Sequence, residues 1–437
     1  MPRVTMLGAG SGFTRRLAAD IMQIPGIESG QFALVDIDPA RLELAHGVVQ
    51  KIVKLSGHDW TVEASTDRRK VLAGSDYIIN TIEVSGVDTV DFDYEIAAKY
   101  GVKQCIGDTV GPGGVFKGLR TIPGWLGILS DAEELCPDAL VLNYTNPMAM
   151  MTLAGLLSSN MQLVGLCHSV QGSSQGLAHY LGIPYEELRW ECGGINHMSW
   201  FTVLEHDGED MYPKLLADYE ANPDKYEGDM VRMELAKHMG YYVTESTGHM
   251  SEYVPYFRKR EDLLAKYIRD GYSGGSGFYA KSWPSWRKGC DESIRRQIAD
   301  EEDIDLSRSH EYASSIIEAH MMHKPFVIHG NVLNTNSGLI ENLPPDCCVE
   351  VPVLVDKNGY NPCRFGRLPT ECATINLSNI GEQQLLVEAV IEGSREKAVR
   401  ALMLDPLTAA VCSPEEIRSM FDELWEAEKA FMPPGME

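Results

Sequence analysis

"RVTMLGAGSGF", residues 3–13, decides how the chain is read. Residues 3–7 mix β-branched and apolar side chains and run straight into Gly8, Gly10 and Ser11, with a helix-like stretch beyond. A strand that ends in a tight glycine turn and opens a helix offers backbone N–H groups and the positive end of a helix dipole to a pyrophosphate. The third glycine of the GxGxxG pattern is missing, since Phe13 stands there. The turn alone is therefore a weak signal. A second one supports it: "FALVDID" (32–38) reads as another buried strand, and Asp36 sits near its end, where an acid would hold the adenosine ribose 2′-hydroxyl. A carboxylate there favours NAD over NADP.

Working outward, "DYIINTI" (76–82), "ALVLNYT" (139–145) and "QLVGLC" (162–167) are further strand-length apolar runs, and Asn80 in the first is another candidate dinucleotide contact. Helical patterns such as "PARLELAHGVVQKIVKL" (39–55) separate them. Strands alternating with helices predict parallel βαβ units and a doubly wound sheet. Past about residue 170 the rhythm changes. "WECGGINHMSWFTVLE" (190–205) reads as strands and longer helices follow. The expected architecture is α/β: a Rossmann-like NAD-binding domain over 1–170, and an α+β domain over 171–437 carrying substrate, metal and oligomer contacts. "DGYSGGSGF" (270–278) reads as a Gly/Ser loop, and "ELWEAEKAFMPPGME" as a helix with a disordered end.

Composition narrows the function. The 437 residues carry 38 basic and 63 acidic side chains, a net charge of −25. That argues against nucleic acid and anionic membranes as partners, because a phosphate-binding surface needs a basic stripe. No run is long and apolar enough to cross a bilayer. "MPRVTMLGAG" enters a strand at once, without a signal-peptide pattern, so a cytoplasmic location is expected. Ten scattered cysteines with no CxxC read as reduced thiols.

"LVGLCHSVQG" (163–172) ends a strand on Cys167 and His168, and "GINHMSW" adds His197 beside Asn196. Thiolate plus imidazole suits a divalent transition metal, and two protein ligands leave positions open for chemistry. Spacing alone favours a buried cysteine with an unrelated histidine, and Cys192 is a rival ligand for a closed zinc site. "GDTVGPGGVFKGLRTIP" (107–123) is a Gly-rich loop entering a helix, with Asp108 at its head. Asn146 in "NYTNPMAM" stands just past a strand end, where an amide can hold a hydroxyl.

Together these pieces resemble glycoside hydrolase family 4, the NAD- and metal-dependent glycosidases that depart from the two-carboxylate scheme. "GAGS", "DIDPARLE", "DTVGPGG", "LRTIP", "LNYTNPMAM", "GLCHSVQG", "GINHMSW", "VTES", "LIENLPPDCCVEVPVLVD" and "DPLTAAV" carry the resemblance, in the family's order. It is nearest to the α-galactosidase branch. The resemblance implies manganese on Cys167 and His197, substrate contact by Asn146, and Asp108 assisting the base. It implies the base within "VTESTGHMSEYVPYF": Tyr253 first, then Glu245, then Tyr256. His168 follows the cysteine, where non-phosphorylated α-glycosidase branches have histidine, and is the candidate to protonate the leaving oxygen. The stretch after "GAGS" is about one residue short for the branch, and Gly248 stands where an acid is expected.

The implied route oxidises sugar C3 with NAD⁺, takes the C2 proton, eliminates the aglycone, adds water and returns the hydride. The substrate is a small-molecule α-glycoside, and the assembly a homodimer or homotetramer. An α-glucosidase or α-galacturonidase of the same family is the alternative, the uronide wanting a cation such as Arg258 or Lys259 near C6. From another class, an NAD-dependent 2-hydroxyacid dehydrogenase of lactate/malate dehydrogenase-like fold would need no metal.

Overall fold

A computed structural model describes residues 1–335 and 338–436. Among the described residues, thirteen strands form one sheet. In chain order they are β1 (Arg3–Leu7), β2 (Ser29–Val35), β3 (Asp59–Ser65), β4 (Tyr77–Asn80), β5 (Leu140–Asn143), β6 (Gln162–Leu166), β7 (Arg189–Ile195), β8 (Met198–His206), β9 (Glu209–Asp210), β10 (Tyr242–Val243), β11 (Phe326–Leu333), β12 (Cys348–Asp356) and β13 (Gly359–Pro362). The first six are parallel in the order β3-β2-β1-β4-β5-β6. That order reverses between β1 and β4, and open α/β sheets bind ligands at such a switch point, beyond the carboxyl ends of the strands.

Side chains alternate across this half of the sheet, as a strand requires. Val4 and Met6 enter one apolar core and Leu7 the other; Tyr77 and Ile79 face Ile78 in the same way. The helix after the glycine turn, Phe13–Met22, buries Leu17, Ala18 and Ile21 against the first core. The next, Pro39–Ser56, starts because Asp38 accepts from the N–H groups of Ala40 and Arg41, and stops at left-handed Gly57 (φ 72°).

The sheet does not end with the parallel strands. β11 returns from far along the chain and pairs antiparallel with β6, Asn331 opposite Gly165, and β12, β7, β8 and β10 continue it. β6 is thereby kept from being an open edge. The expected α/β doubly wound sheet with a further α+β part is thus present, and the two parts share one continuous sheet. β3 reads poorly in sequence because "DWTVEAS" is an edge strand with mostly exposed or half-buried side chains. The chain end differs from the expectation of disorder: after the helix Pro414–Ala427, Met432 and Met436 are buried in the core. Among the described residues, no helix is long and apolar enough to cross a membrane.

Candidate active site

The turn after β1 is built so that only glycine fits. Gly8 has φ +70°, and a Cβ there would lie 2.5 Å from the Thr81 carbonyl oxygen; at Gly10 one would lie 2.8 Å from Asp36 Oδ2. The Asp36 carboxylate accepts from the Gly10 N–H (2.8 Å) and the Asp38 N–H (2.9 Å), tying the second strand end to the turn. Gly8, Gly10, Ser11 and Asp36 line a cavity of about 630 Å³ that extends to Asp108, Lys117 and Asn146. Ile37, 86% exposed, stands at its rim as an apolar shelf. A side-chain-free turn at a helix start, an acid at the next strand end and a long cavity fit a dinucleotide. Asn80 departs from expectation. Its buried amide donates to Asn143 Oδ1 (2.8 Å) on the neighbouring strand, and Thr81 and Ile82 line the cavity instead.

Beyond Asp108, and linked to it through His249, three chain segments converge. Cys167 lies one residue beyond β6, His197 in the two-residue turn between β7 and β8, and Glu245 two residues beyond β10. Their ligand atoms all lie within 4.8 Å of one another. His197 and Glu245 both hold left-handed backbone (φ 62° and 74°), a conformation non-glycine residues keep only where surroundings impose it. Burial lowers the pKa of His197 to about 4, leaving the neutral imidazole a metal needs. Burial, with Glu245 and Glu350 adding to it, pushes the Cys167 thiol well up, so a cation must supply the charge that makes it a thiolate. Sulfur, imidazole and carboxylate together suit a borderline divalent transition metal. Glu245, expected as an alternative base, therefore sits as a third candidate ligand, its Oε2 3.7 Å from His197 Nε2. Cys192, the rival ligand, is buried inside β7 and lies outside this group.

Around the three candidate ligands sit the candidate acid–base residues. The hydroxyl of Tyr253 lies 3.3 Å from His197 Nδ1, and the tyrosine is 1% exposed. Burial raises its pKa well above the ordinary value. Asp108 accepts from the Asn146 amide (2.8 Å) and lies 3.4 Å from His249 Nε2, with Lys117 3.8 Å away. Burial opposes its ionisation, but the His249 bond, Lys117 and Asn146 hold it far below the usual range. His168 begins the helix Ser169–Leu181 with its side chain 67% exposed, Nδ1 3.8 Å from Glu311. Tyr256 is 40% exposed against Phe257, and Gly248 faces the Tyr272 backbone.

Two family models cover most of the chain: family 4 glycosyl hydrolase over residues 3–183, and the family 4 glycosyl hydrolase C-terminal domain over 192–408. The chain belongs to glycosyl hydrolase family 4. An α-galactosidase of Bacillus subtilis is 38% identical over 99% of both chains. One of Rhizobium meliloti is 37% identical over 99% of this chain and 89% of its own. The 6-phospho-β-glucosidase of Thermotoga maritima, solved with manganese, NAD⁺ and glucose-6-phosphate, has the same fold, with a TM-score of 0.80 at 20% identity over 98% of this chain and 99% of its own. The malate dehydrogenase of Plasmodium falciparum shares the fold more distantly, with a TM-score of 0.52 at 12% identity over 90% of this chain and 99% of its own. Membership of family 4 sets aside the 2-hydroxyacid dehydrogenase alternative.

Several residues gathered at this family 4 site were not singled out by the sequence motifs. His249 lies between two carboxylates, 3.2 Å from Glu245 and 3.4 Å from Asp108, and although burial opposes charging, those bonds raise its pKa to about 10. Its signal was spacing: Glu245, His249 and Tyr253 recur every four residues along the short helix Thr247–Tyr253 and the turn before it. Glu83, half-buried, pairs with buried Lys117 (2.8 Å) in the cavity wall. The helix Phe278–Ile298, which follows the Gly/Ser loop, lines the cavity with Tyr279, Trp283, Trp286 and Arg287. Arg258 and Lys259 are not a clamp for a uronide. Arg258 is 1% exposed and donates to Gly274, Ser276 and Ser251, pinning the Gly/Ser loop, while Lys259 is exposed.

Proposed function

We propose that the protein is an NAD- and manganese-dependent α-galactosidase, cleaving small α-galactosides by transient oxidation, elimination, hydration and re-reduction. The observation that supports it most directly is the meeting of Cys167, His197 and Glu245 beside the Tyr253 hydroxyl, joined through His249 to Asp108, which lines the cavity that begins at the glycine turn. The two α-galactosidases quoted above span nearly all of the chain, and the commitment of Arg258 to the loop gives a uronide no partner there. When bound, NAD⁺ and the divalent cation supply a hydride acceptor and a Lewis acid, which together make the C2 proton of the sugar acidic.

The chain's own residues do the rest. Gly8, Gly10 and Ser11 bind the dinucleotide, and Asp36 orders their turn. Cys167, His197 and Glu245 hold the cation. With Nε2 of His197 turned toward Glu245, its Nδ1 carries the proton and donates to the Tyr253 oxygen, which favours the phenolate that takes the C2 proton. Asp108 orients Asn146, whose amide holds a sugar hydroxyl. His168, at the solvent side, protonates the departing oxygen. Residues 1–170 then carry the dinucleotide turn together with Asp108, Asn146, Cys167 and His168, and residues 171–437 add His197, Glu245 and Tyr253, so the sugar and cation site lies where the two parts meet. The enzyme works in the cytoplasm, where Cys167 stays reduced, as a homodimer or homotetramer in line with the family resemblance.

The test is hydrolysis of p-nitrophenyl α-galactoside, α-glucoside and α-galacturonide, with and without NAD⁺, Mn²⁺ and a thiol reductant, repeated in D₂O. The α-galactoside is expected to be cleaved fastest, only with both cofactors, and to release sugar deuterated at C2. Cleavage without label at C2 would remove the elimination route. Preference for the α-glucoside or α-galacturonide would remove the specificity.

A further inference from the structure

The helix Phe278–Ile298 belongs to the C-terminal half, yet it lies along the dinucleotide cavity. Its contacts run in order. Trp283 stands 5.7 Å from the Lys117 ammonium at the sugar end. One turn on, Arg287 Nη1 lies 2.5 Å from where a Cβ would sit at Gly86, just past β4. Nearly another turn on, Cys290 Sγ lies 3.0 Å from the same position at Gly12, in the glycine turn. Seven residues of helix span roughly 10 Å, so Arg287 stands midway between the sugar end and the turn, beside the path a dinucleotide's phosphates must take.

Its charge is uncommitted. Five carboxylates (Asp36, Asp38, Glu83, Asp88 and Asp108) and three cations (Arg41, Lys117 and Arg287) line the cavity. Arg41 is paired with Asp291 (3.1 Å) and donates to the Gly10 carbonyl, and Lys117 is paired with Glu83. Arg287 makes no hydrogen bond or ion pair with any described residue. A dianionic pyrophosphate entering an acidic cavity meets repulsion that the turn's N–H groups offset only in part. A guanidinium forks onto phosphate oxygens in two parallel hydrogen bonds. Gly86, left-handed at φ +58°, provides the space that lets the guanidinium reach this point.

We propose that Arg287 is the cationic ligand of the dinucleotide pyrophosphate, brought across from the C-terminal half. The assignment rests on the reading that this cavity takes NAD⁺. It makes dinucleotide binding draw the long helix and the Rossmann-like half together over the cofactor.

Calorimetric titration of the full chain with NAD⁺, ADP-ribose and adenosine tests it, for wild type, Arg287→Gln and Arg287→Lys. Arg287→Gln is expected to weaken NAD⁺ and ADP-ribose by roughly 10- to 100-fold and to leave adenosine, which has no phosphate, unchanged. Arg287→Lys should recover part of the loss, and added salt should weaken NAD⁺ binding more in wild type than in Arg287→Gln. Unchanged NAD⁺ affinity in Arg287→Gln, or equal losses for NAD⁺ and adenosine, would overturn the assignment alone. So would an Arg287→Gln protein that binds NAD⁺ normally but no longer binds an α-galacturonide, since the guanidinium would then serve a substrate carboxylate. A wild type that binds no dinucleotide would overturn both the assignment and the reading beneath it.

Discussion

Between Asp108 and Glu245 lies a single imidazole, His249, with one ring nitrogen toward each carboxylate. Both nitrogens donate only when the ring is charged, and its raised pKa keeps it so at neutral pH. Replacing it by leucine leaves two buried carboxylates without their shared cation, and Glu245 free to turn from the geometry that puts it beside Cys167 and His197. His249→Leu is therefore expected to weaken Mn²⁺ binding about 10- to 100-fold, as loss of a residue supporting a metal ligand typically does. The free Mn²⁺ signal in electron paramagnetic resonance measures this directly, and an unchanged dissociation constant would remove His249 from the support of the site. At this scale the sequence was readable where a motif ended a strand. Cys167 and His197 stand at such ends, Asp108 heads the loop that enters the helix Gly111–Leu135, and the turn geometry that exposes them is local. Glu245 was visible but its role was not: a carboxylate two residues past a two-residue strand becomes a candidate ligand only because β10 pairs with β8 and brings it to His197. Asn80 differs for the opposite reason, since its amide nitrogen is turned to Asn143 on the adjacent strand rather than into the cavity.

The first strand–turn–helix unit was legible almost completely, because its constraint is steric. Gly8 combines φ +70° with a backbone oxygen 2.5 Å from any Cβ, and backbone cannot swing aside as a side chain can. Gly57 offers a matched control: the same left-handed conformation at φ +72°, with nothing within 4 Å. Gly57→Ala carries only the cost of that backbone conformation, roughly 1 kcal/mol, and should leave NAD⁺ binding intact. Gly8→Ala adds overpacking to that strain and is expected to cost about 2–4 kcal/mol and to abolish NAD⁺ binding. Urea unfolding with parallel NAD⁺ titration of both variants separates the two terms; equal effects would show that the close approach to Thr81 has no role. Elements fixed by distant pairing were less legible. "DWTVEAS" lacks a buried run because only one of its edges is paired, and the helix Phe278–Ile298, with only Ala280, Ile294 and Gln297 buried, shows no apolar stripe to announce that it lines a cavity.

Across the whole molecule, one sheet carries both halves, and its junction at β6, β11 and β12 could not be seen locally because β11 lies so far from β6 along the chain. That junction has a consequence for acid stability. His329, on β11, is 8% exposed, packs its ring on Trp190 with centroids 5.1 Å apart, and has no partner for Nε2. Burial, outweighing a hydrogen bond with the Cys192 backbone, lowers its pKa to about 4 from an ordinary 6.5. A histidine depressed in the folded state is protonated first in the unfolded chain, so stability is held above pH 6.5 and lost as pH falls from there toward 4. The loss amounts to at most about 3 kcal/mol at the lower end. His329→Phe keeps a ring against Trp190 and removes the proton-binding site. Urea unfolding should then find the two proteins of similar stability at pH 8, with the variant losing less between pH 7 and pH 5. The sheet junction would thereby be shown to set part of the acid limit of the fold, whereas parallel decline of the two proteins would place that limit in groups away from β11.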